Sequence, residues 1–484
     1  MSGQSVECIH ICERSDPLLR KRDIIVKENH WPRDLRIRQA ERVSTSTSKF
    51  LPAALKPFAL RQYRLLAAGL VLAMFADGVW TVGVVWQVIA LGGGPGLLAV
   101  VTGVAAAGMV GSTLAGGVLA DRVSQRRIMI GLEIAKMIAF AVVGVAALAG
   151  VLDYPLLVAA ALVGGVTTGM YYPAYSALLP SVVEAAQLQA ANGIEGFLRP
   201  VVFQAAGPMV AGGVIAMASP ATAIVLAGMA SAASALVYGG MRPVPVRRDL
   251  AIGSGHPIRS VISDLAEGFG YMWRTPWLWA TLFFACVLVL VVMGPIEVLV
   301  PFALRAAGGG AGDHALVLAG FGIGAASASL VFASIPMPRR YLTVMFGIWG
   351  VSSLPLVIMG IAEHTWLFVV AGFLMGVLFD GPMVLWGTLL QRRVPPALLG
   401  RVASLDFFVS VALMPVSMAL AAPVSQAIGL TATFVLAGLL PVPVAGAFYV
   451  AARLWRDEAE HPLRIEVTDV PAVPATAHEA GHTP

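Results

Sequence analysis

The sequence is short of charge: Asp, Glu, Lys and Arg make up 12% of its 484 residues, about half the share found in soluble domains. So few ionic groups could not cover a water-soluble globule of this size. Cysteine is nearly missing too. Cys8, Cys12 and Cys286 are too few for a disulfide framework, and Cys8-x-His10-x-Cys12 has no fourth ligand nearby, so no metal site is expected. The first 60 residues hold no apolar stretch that could act as a cleavable signal. They read as a polar cytosolic extension without fixed structure, or as residues upstream of the true start codon. Also absent are Gly-x-x-x-x-Gly-Lys-Ser/Thr, His-Glu-x-x-His and Gly-x-Ser-x-Gly, which argues against ATP hydrolysis and hydrolytic catalysis. His314 and His364 stand alone in expected outer loops. Neither an enzyme nor a cofactor is expected.

What the chain does have is apolar residues, 58% of the total. They fall in runs of about 20, each long enough to cross a hydrocarbon layer roughly 30 Å thick. Read against turn signals such as Gly92-Gly93-Gly94-Pro95, Ser219-Pro220 and Gly308-Gly309-Gly310, the runs predict helices near 64–91, 96–120, 128–149, 154–178, 194–218 and 220–240. A second set is predicted near 276–303, 314–335, 341–361, 365–389, 402–426 and 429–453. The fold class is therefore an all-α polytopic membrane protein with twelve transmembrane helices.

The net charge of +5 forms no continuous basic face, which excludes nucleic acid as the expected partner. The basic residues sit instead in the gaps after even-numbered helices: Arg122, Arg126 and Arg127; Arg242, Arg247, Arg248, Arg259 and Arg274; Arg339 and Arg340; Arg392, Arg393 and Arg401. Gaps after odd-numbered helices hold only Arg305. The positive-inside rule then places both termini in the cytosol and the protein in the cell (inner) membrane. The longest gap divides the chain into a six-helix bundle over 61–240, a central loop over 241–275 with an interfacial helix near 258–273, and a second bundle over 276–453. An extension over 1–60 and a cytosolic tail over 454–484 flank them. Arg126-Arg127 recurs as Arg339-Arg340, and Leu179, Val183 and Leu188 recur as Leu390, Val394 and Leu399, at a near-constant offset. This suggests two six-helix pseudo-repeats in parallel orientation, with a cleft between them.

Gly117-Val-Leu-Ala-Asp121-Arg122-Val-Ser124-Gln125-Arg126-Arg127, between helices 2 and 3, resembles the signature loop of the major facilitator superfamily, with Ser124 replacing its turn glycine and Gln125 a basic residue. The resemblance extends over roughly 58–455. It implies the major facilitator fold and a gating role for Gly117, Asp121, Arg122, Arg126 and Arg127, with Asp406 of helix 11 as a partner of the loop. Read directly, the arginines suit carboxylates or lipid phosphates at the cytosolic surface. Phe58–Leu65, Pro173–Pro180, Leu188–Asn192 and Gln391–Pro396 are similar to the branch containing enterobactin exporters and macrolide-efflux proteins. The chain departs from proton-coupled drug antiporters in having no arginine in helix 4, and Ala211 and Phe203 where glycines would stand in helix 5.

An ionisable group in lipid costs roughly 2.5–3.5 kcal/mol on insertion scales, so each needs a reason. Asp77, mid-way along helix 1 with no basic residue within a turn, is the first candidate for proton or substrate coupling, against a packing role; protonation is its route to neutrality. Glu133 and Lys136, three apart on helix 3, form a structural or a coupling pair. Asp380 precedes Gly381-Pro382, where a broken helix 10 could expose backbone. Glu297, between Pro295 and Pro301, is expected to pair with Arg305 or line the outer mouth. Glu195 and Arg199 read as a local ion pair. Trp80, Trp86 and Gln87, with Tyr171, Tyr172 and Tyr175, would suit a large, partly apolar ligand or simple packing. The expected function is secondary transport, most simply export of a drug-like compound, siderophore or metabolite with protons as coupling partner. Import on the same fold and a non-transporting scaffold or receptor are the alternatives. The expected partners are a small molecule and membrane lipid, and the expected state is a monomer.

Overall fold

Hydrocarbon offers no water to unpaired backbone groups, so a segment that crosses it must close its own hydrogen bonds as a helix. The computed structural model describes residues 53–184, 187–243 and 269–463, and twelve of its helices are long and apolar enough to span a membrane. In the first half these are α1 (Arg61–Ala90), α2 (Pro95–Arg122), α3 (Gln125–Leu148), α4 (Tyr154–Val182), α5 and α6 (Pro220–Gly239). Helix α5 runs from Leu188–Leu198 through a π-helical Arg199–Ala206 to Gly207–Met217. In the second half, α7 runs from Pro276–Gly294 through a π turn at Pro295–Leu299 to Val300–Ala306. It is followed by α8 (Ala311–Ser334), α9 (Tyr341–Val351 and Pro355–Ile361), α10 (Thr365–Arg393), α11 (Pro396–Ala412 and Met414–Ile428) and α12 (Leu430–Leu439 and Pro441–Ala451). The predicted spans match within a few residues; α5 and α11 each begin earlier than the apolar pattern indicated. The expected N-terminal extension up to residue 52, the central loop over 244–268 and the tail beyond 463 lie outside the described residues.

Local chemistry fixes the ends. The Asp153 carboxylate accepts from the Leu156 N–H at 3.1 Å to open α4, and the Ser219 hydroxyl accepts from the Thr222 N–H at 3.2 Å to open α6; each relieves an orphan donor of a first turn. Proline stands in the first turn of α2, α6 and α7, where its missing N–H costs nothing.

Lipid supplies little hydrophobic drive between helices, so close backbone approach takes over. Gly165 and Gly169 of α4 lie against the backbone of Ala105 and Met109 in α2, where any Cβ would collide. The Ser112 hydroxyl donates across this seam to the Val166 carbonyl at 2.9 Å. The second half repeats the device: a Cβ on Gly372 of α10 would sit 2.7 Å from the Val317 carbonyl oxygen of α8, and Gly376 abuts Phe321 in the same way. The α2–α4 and α8–α10 seams are among the most extensive helix pairs in the molecule.

The halves meet through α2 with α11 and α5 with α8. These contacts gather at the end of the bundle away from the chain termini. Gly212 of α5 faces Ala311 and Ala315 at the start of α8, Gly322 faces Pro200 and Gln204, and Gly103 of α2 faces Pro415 and Met418 of α11. Among the described residues, the seams between the halves therefore lie toward the far end.

Two expectations need correction here. His314 is no loop residue: it lies buried in the first turn of α8, whose N-terminus is capped by the Asp313 carboxylate accepting from the Gly310 N–H at 2.9 Å. The start of the expected tail is folded. Leu454–Glu460 forms a short helix, α13, and its buried Glu458 accepts from the backbone N–H groups of Leu342 and Thr343 at 3.0 and 3.1 Å and from the Thr343 hydroxyl. These are orphan donors of the first turn of α9, and the carboxylate suits the positive end of that helix.

Candidate functional site

The feature that most needs a physical reason is a charge cluster in the first half. Lys136 of α3 places Nζ 2.9 Å from Asp77 Oδ1 of α1 and 2.9 Å from Glu133 Oε1 of its own helix. The cluster is formed by two elements that pack side by side. Trp80, one turn beyond Asp77, stacks on Phe140, one turn beyond Lys136, with ring centroids 4.2 Å apart and planes 9° from parallel. Gly78, next to Asp77, lies back-to-back with Gly207 of α5, where a Cβ would sit 2.5 Å from the Phe203 carbonyl oxygen. The small residues therefore pull the π-helical part of α5 against α1 beside the carboxylate.

Two carboxylates and one ammonium leave the cluster with one negative charge in excess when all are ionised. The members are unequally enclosed: the Glu133 side chain is 0% exposed and Lys136 2%, but Asp77 keeps 28%. Burying an ion is costly unless opposite charge and hydrogen bonds replace its water. Lys136 does this for both acids at once. Asp77 is the least enclosed member, so it is where a proton or a cationic group of a ligand could enter.

Sequence spacing paired Lys136 with Glu133 but left Asp77 without a base; its partner comes from α3, 59 residues away. Tyr175 is fully packed, and the Tyr171 hydroxyl is 2.8 Å from that of Tyr238 in α6, so both serve the bundle's interior. Gln87 is buried as well, and Trp86 has a buried indole N–H with no partner among the described residues. Of the expected cavity aromatics, Tyr172 is openly exposed.

The second half holds carboxylates of a different kind. Asp380 has no ion-pair or hydrogen-bond partner among the described residues. Beside it Pro382 breaks the hydrogen-bond ladder of α10, and the Trp349 indole of α9 donates to the Phe379 carbonyl at 3.0 Å. Glu297 lies in the π turn of α7 and makes no ion pair with Arg305. Asp406, expected to partner the signature-like loop, accepts from the Trp386 indole at 3.0 Å and lies 3.4 Å from the Ser410 hydroxyl, both in its own half. Within that loop, Arg126 donates to the carbonyls of Tyr238 and Gly239 at the C-terminus of α6. It caps a helix, rather than binding a carboxylate or phosphate as expected. Arg127 is exposed; the side chains of Gly117, Asp121 and Arg122 lie outside the described residues. Glu195 and Arg199 form the local ion pair at 3.5 Å.

Sequence reasoning missed Gln204. Its amide oxygen is buried and unpartnered within the π-helical part of α5, against Gly322 of α8, and only the irregular turn aims it at the seam between halves.

Among known proteins, the family model of the Major Facilitator Superfamily matches residues 65–414. A variant of the nucleoside transporter NupG has a similar fold, with a TM-score of 0.64 at 10% identity over 80% of this chain and 99% of that one. A POT family transporter in complex with a thioalcohol-conjugated peptide gives 0.62 at 12% identity over 81% and 96%. A POT family transporter in complex with 5-aminolevulinic acid gives 0.62 at 13% identity over the same shares. At these identities the likeness is one of fold. A comparison with curated proteins gives no match.

Proposed function

Because the chain belongs to the Major Facilitator Superfamily and is a multi-pass membrane transporter rather than an enzyme, we propose that it couples solute movement to protons through the Asp77–Lys136–Glu133 cluster. The carrying observation is one buried ammonium 2.9 Å from two carboxylates, one fully enclosed and one partly exposed. A proton arriving at Asp77 weakens its hold on Lys136, which then pairs with Glu133 alone. The link between α1 and α3 loosens as the cluster goes from one excess negative charge to neutral. Loss of that proton restores the bridge. Two halves, 61–240 and 276–453, rock about a central site between these states.

The arginines after even-numbered helices put both termini in the cytosol, in the cell membrane. The segments similar to the enterobactin-exporter and macrolide-efflux branch support export, with a drug-like compound, siderophore or metabolite as cargo.

Asp77→Asn keeps size and hydrogen-bonding capacity but cannot titrate. In vesicles with an imposed pH gradient it should abolish uphill flux while sparing substrate exchange without a gradient. Uphill transport at the wild-type rate would leave Asp77 a packing residue and move coupling elsewhere.

A further inference from the structure

The second half carries a cavity that the transport reading does not use. It has a volume of about 440 Å³ and is lined by Tyr271, Thr275, Trp277, Arg392, Arg393 and His461, a size in the range of roughly 300–1,000 Å³ typical of ligand clefts. It sits where α7 begins and α10 ends, closed from below by the chain that follows α13. We propose that it binds the phosphate headgroup of an anionic phospholipid.

The two arginines differ in a way that makes a site. Arg393 is built in: it pairs with Asp457 of α13, and its guanidinium lies 5.0 Å above the Trp277 ring centroid. Its charge is already answered. Arg392 is exposed, donates through Nη1 to the Leu463 carbonyl at 3.1 Å, and has no ion-pair partner among the described residues. That bond turns the guanidinium toward the cavity and leaves its other donors for a two-pronged bond to phosphate oxygens. The Tyr271 hydroxyl finds a protein acceptor only at 3.5 Å, the Arg393 carbonyl, which is too long to satisfy it. Arg392, Tyr271 and His461 thus line one cavity, with the buried Trp277 as its wall; the His461 Nδ1 lies 2.9 Å from the Asp457 carbonyl, which leaves its Nε2 for a phosphate oxygen.

The surroundings select a lipid over a soluble phosphate. An aromatic edge stands beside the start of α7. Phe269 and Trp273 are largely exposed, the latter 61%; Trp273 lies 6.0 Å from Phe283, which lies 6.4 Å from Trp279. Aromatic rings of this kind sit at headgroup level, and the edge continuing past them offers acyl chains a surface that a free phosphate would not use. Basic pockets between transmembrane helices hold anionic headgroups in this manner.

The test uses the full chain, delipidated in detergent, with melting temperature and retained lipid by native mass spectrometry as readouts, independent of any flux assay. Phosphatidylglycerol should raise the midpoint and stay bound where phosphatidylcholine does neither. Arg392→Ala should weaken phosphatidylglycerol binding about tenfold or more, Arg392→Lys should restore part of it, and Tyr271→Phe should weaken it with no loss of fold. Equal binding of the two lipids, or an Arg392→Ala variant that binds as wild type does, overturns the proposal. So does full protection by glycerophosphate alone, which would assign the cavity to a soluble anion. Stronger lipid binding after trimming the chain beyond Leu463 would assign it to that segment instead.

Discussion

Replacing Lys136 by Met keeps the length of the side chain and removes its charge. In the wild type that charge lies 2.9 Å from two carboxylates, one of them fully enclosed. Taking away one partner of a buried ionic group costs about 3–5 kcal/mol, because what remains is an uncompensated charge. At about 2–4 °C per kcal/mol for a unit the size of one half, the melting midpoint of the purified protein should fall by about 6–20 °C. The cause can be separated from simple loss of packing. The triple variant Asp77→Asn, Glu133→Gln, Lys136→Met has no buried charge and nearly the same volume, so it should recover most of the loss. Asp77→Asn alone leaves Lys136 paired with Glu133 and should cost only about 1–2 kcal/mol. Thermal unfolding followed by tryptophan fluorescence in detergent reads all three. A Lys136→Met protein melting within about 1 kcal/mol of wild type, or a triple variant no better than the single one, would refute the reasoning that charge compensation holds this cluster.

Glu458→Ala strands two backbone N–H groups and a hydroxyl at the start of α9, so it should lower stability by about 2–4 kcal/mol, seen as a lower melting midpoint; an unchanged midpoint would mean that α13 adds nothing to the second half. A cysteine pair at Gly103 and Met418 starts from a separation of 4.0 Å between the Cβ positions, within disulfide reach. On a cysteine-free background it should cross-link spontaneously and arrest flux until reductant is added, whereas free flux in the cross-linked protein would show that this seam does not open. Reporter tags at Asp153 and Gly309 should read as external, and tags at Arg247 and the C-terminus as cytosolic; a cytosolic signal from Gly309 would contradict the proposed topology.

The helices were legible in the sequence because a bilayer admits few alternatives: an apolar run of about 20 residues bounded by glycine, proline or arginine has little else to become. Cross-helix chemistry was not legible. Nothing near Asp77 in the chain announces Lys136, because their meeting depends on how α1 and α3 rotate against each other, which the Trp80–Phe140 stack and the glycine contacts decide. Periodicity gave no help, since a helix apolar on every side has no polar face to orient it. Leu454–Glu460 was taken for tail because seven residues with four charges carry no span signal; the buried Leu454 and the acid aimed at α9 were the available hints. The predicted α8 begins only at His314 because its start is set by the apolar run, while the cap at Gly310 and Asp313 begins the helix one turn earlier. The Trp386 indole that donates to Asp406 lies on a different helix, so spacing along the chain does not announce it.

The distance along the chain between Asp77 and Lys136 also sets a clock. A nascent chain grows at about 5–20 residues per second, so the 59 residues separating the two take about 3–12 s to appear. During that interval α1 must enter the bilayer with an acid that has no partner, relying on the apolar residues around it to outweigh roughly 2.5–3.5 kcal/mol. Helix α1 is thus committed to the membrane on credit from α3. Loss of Lys136 would therefore show first in newly made protein, as a first helix that slips back toward water before the bundle has closed around it.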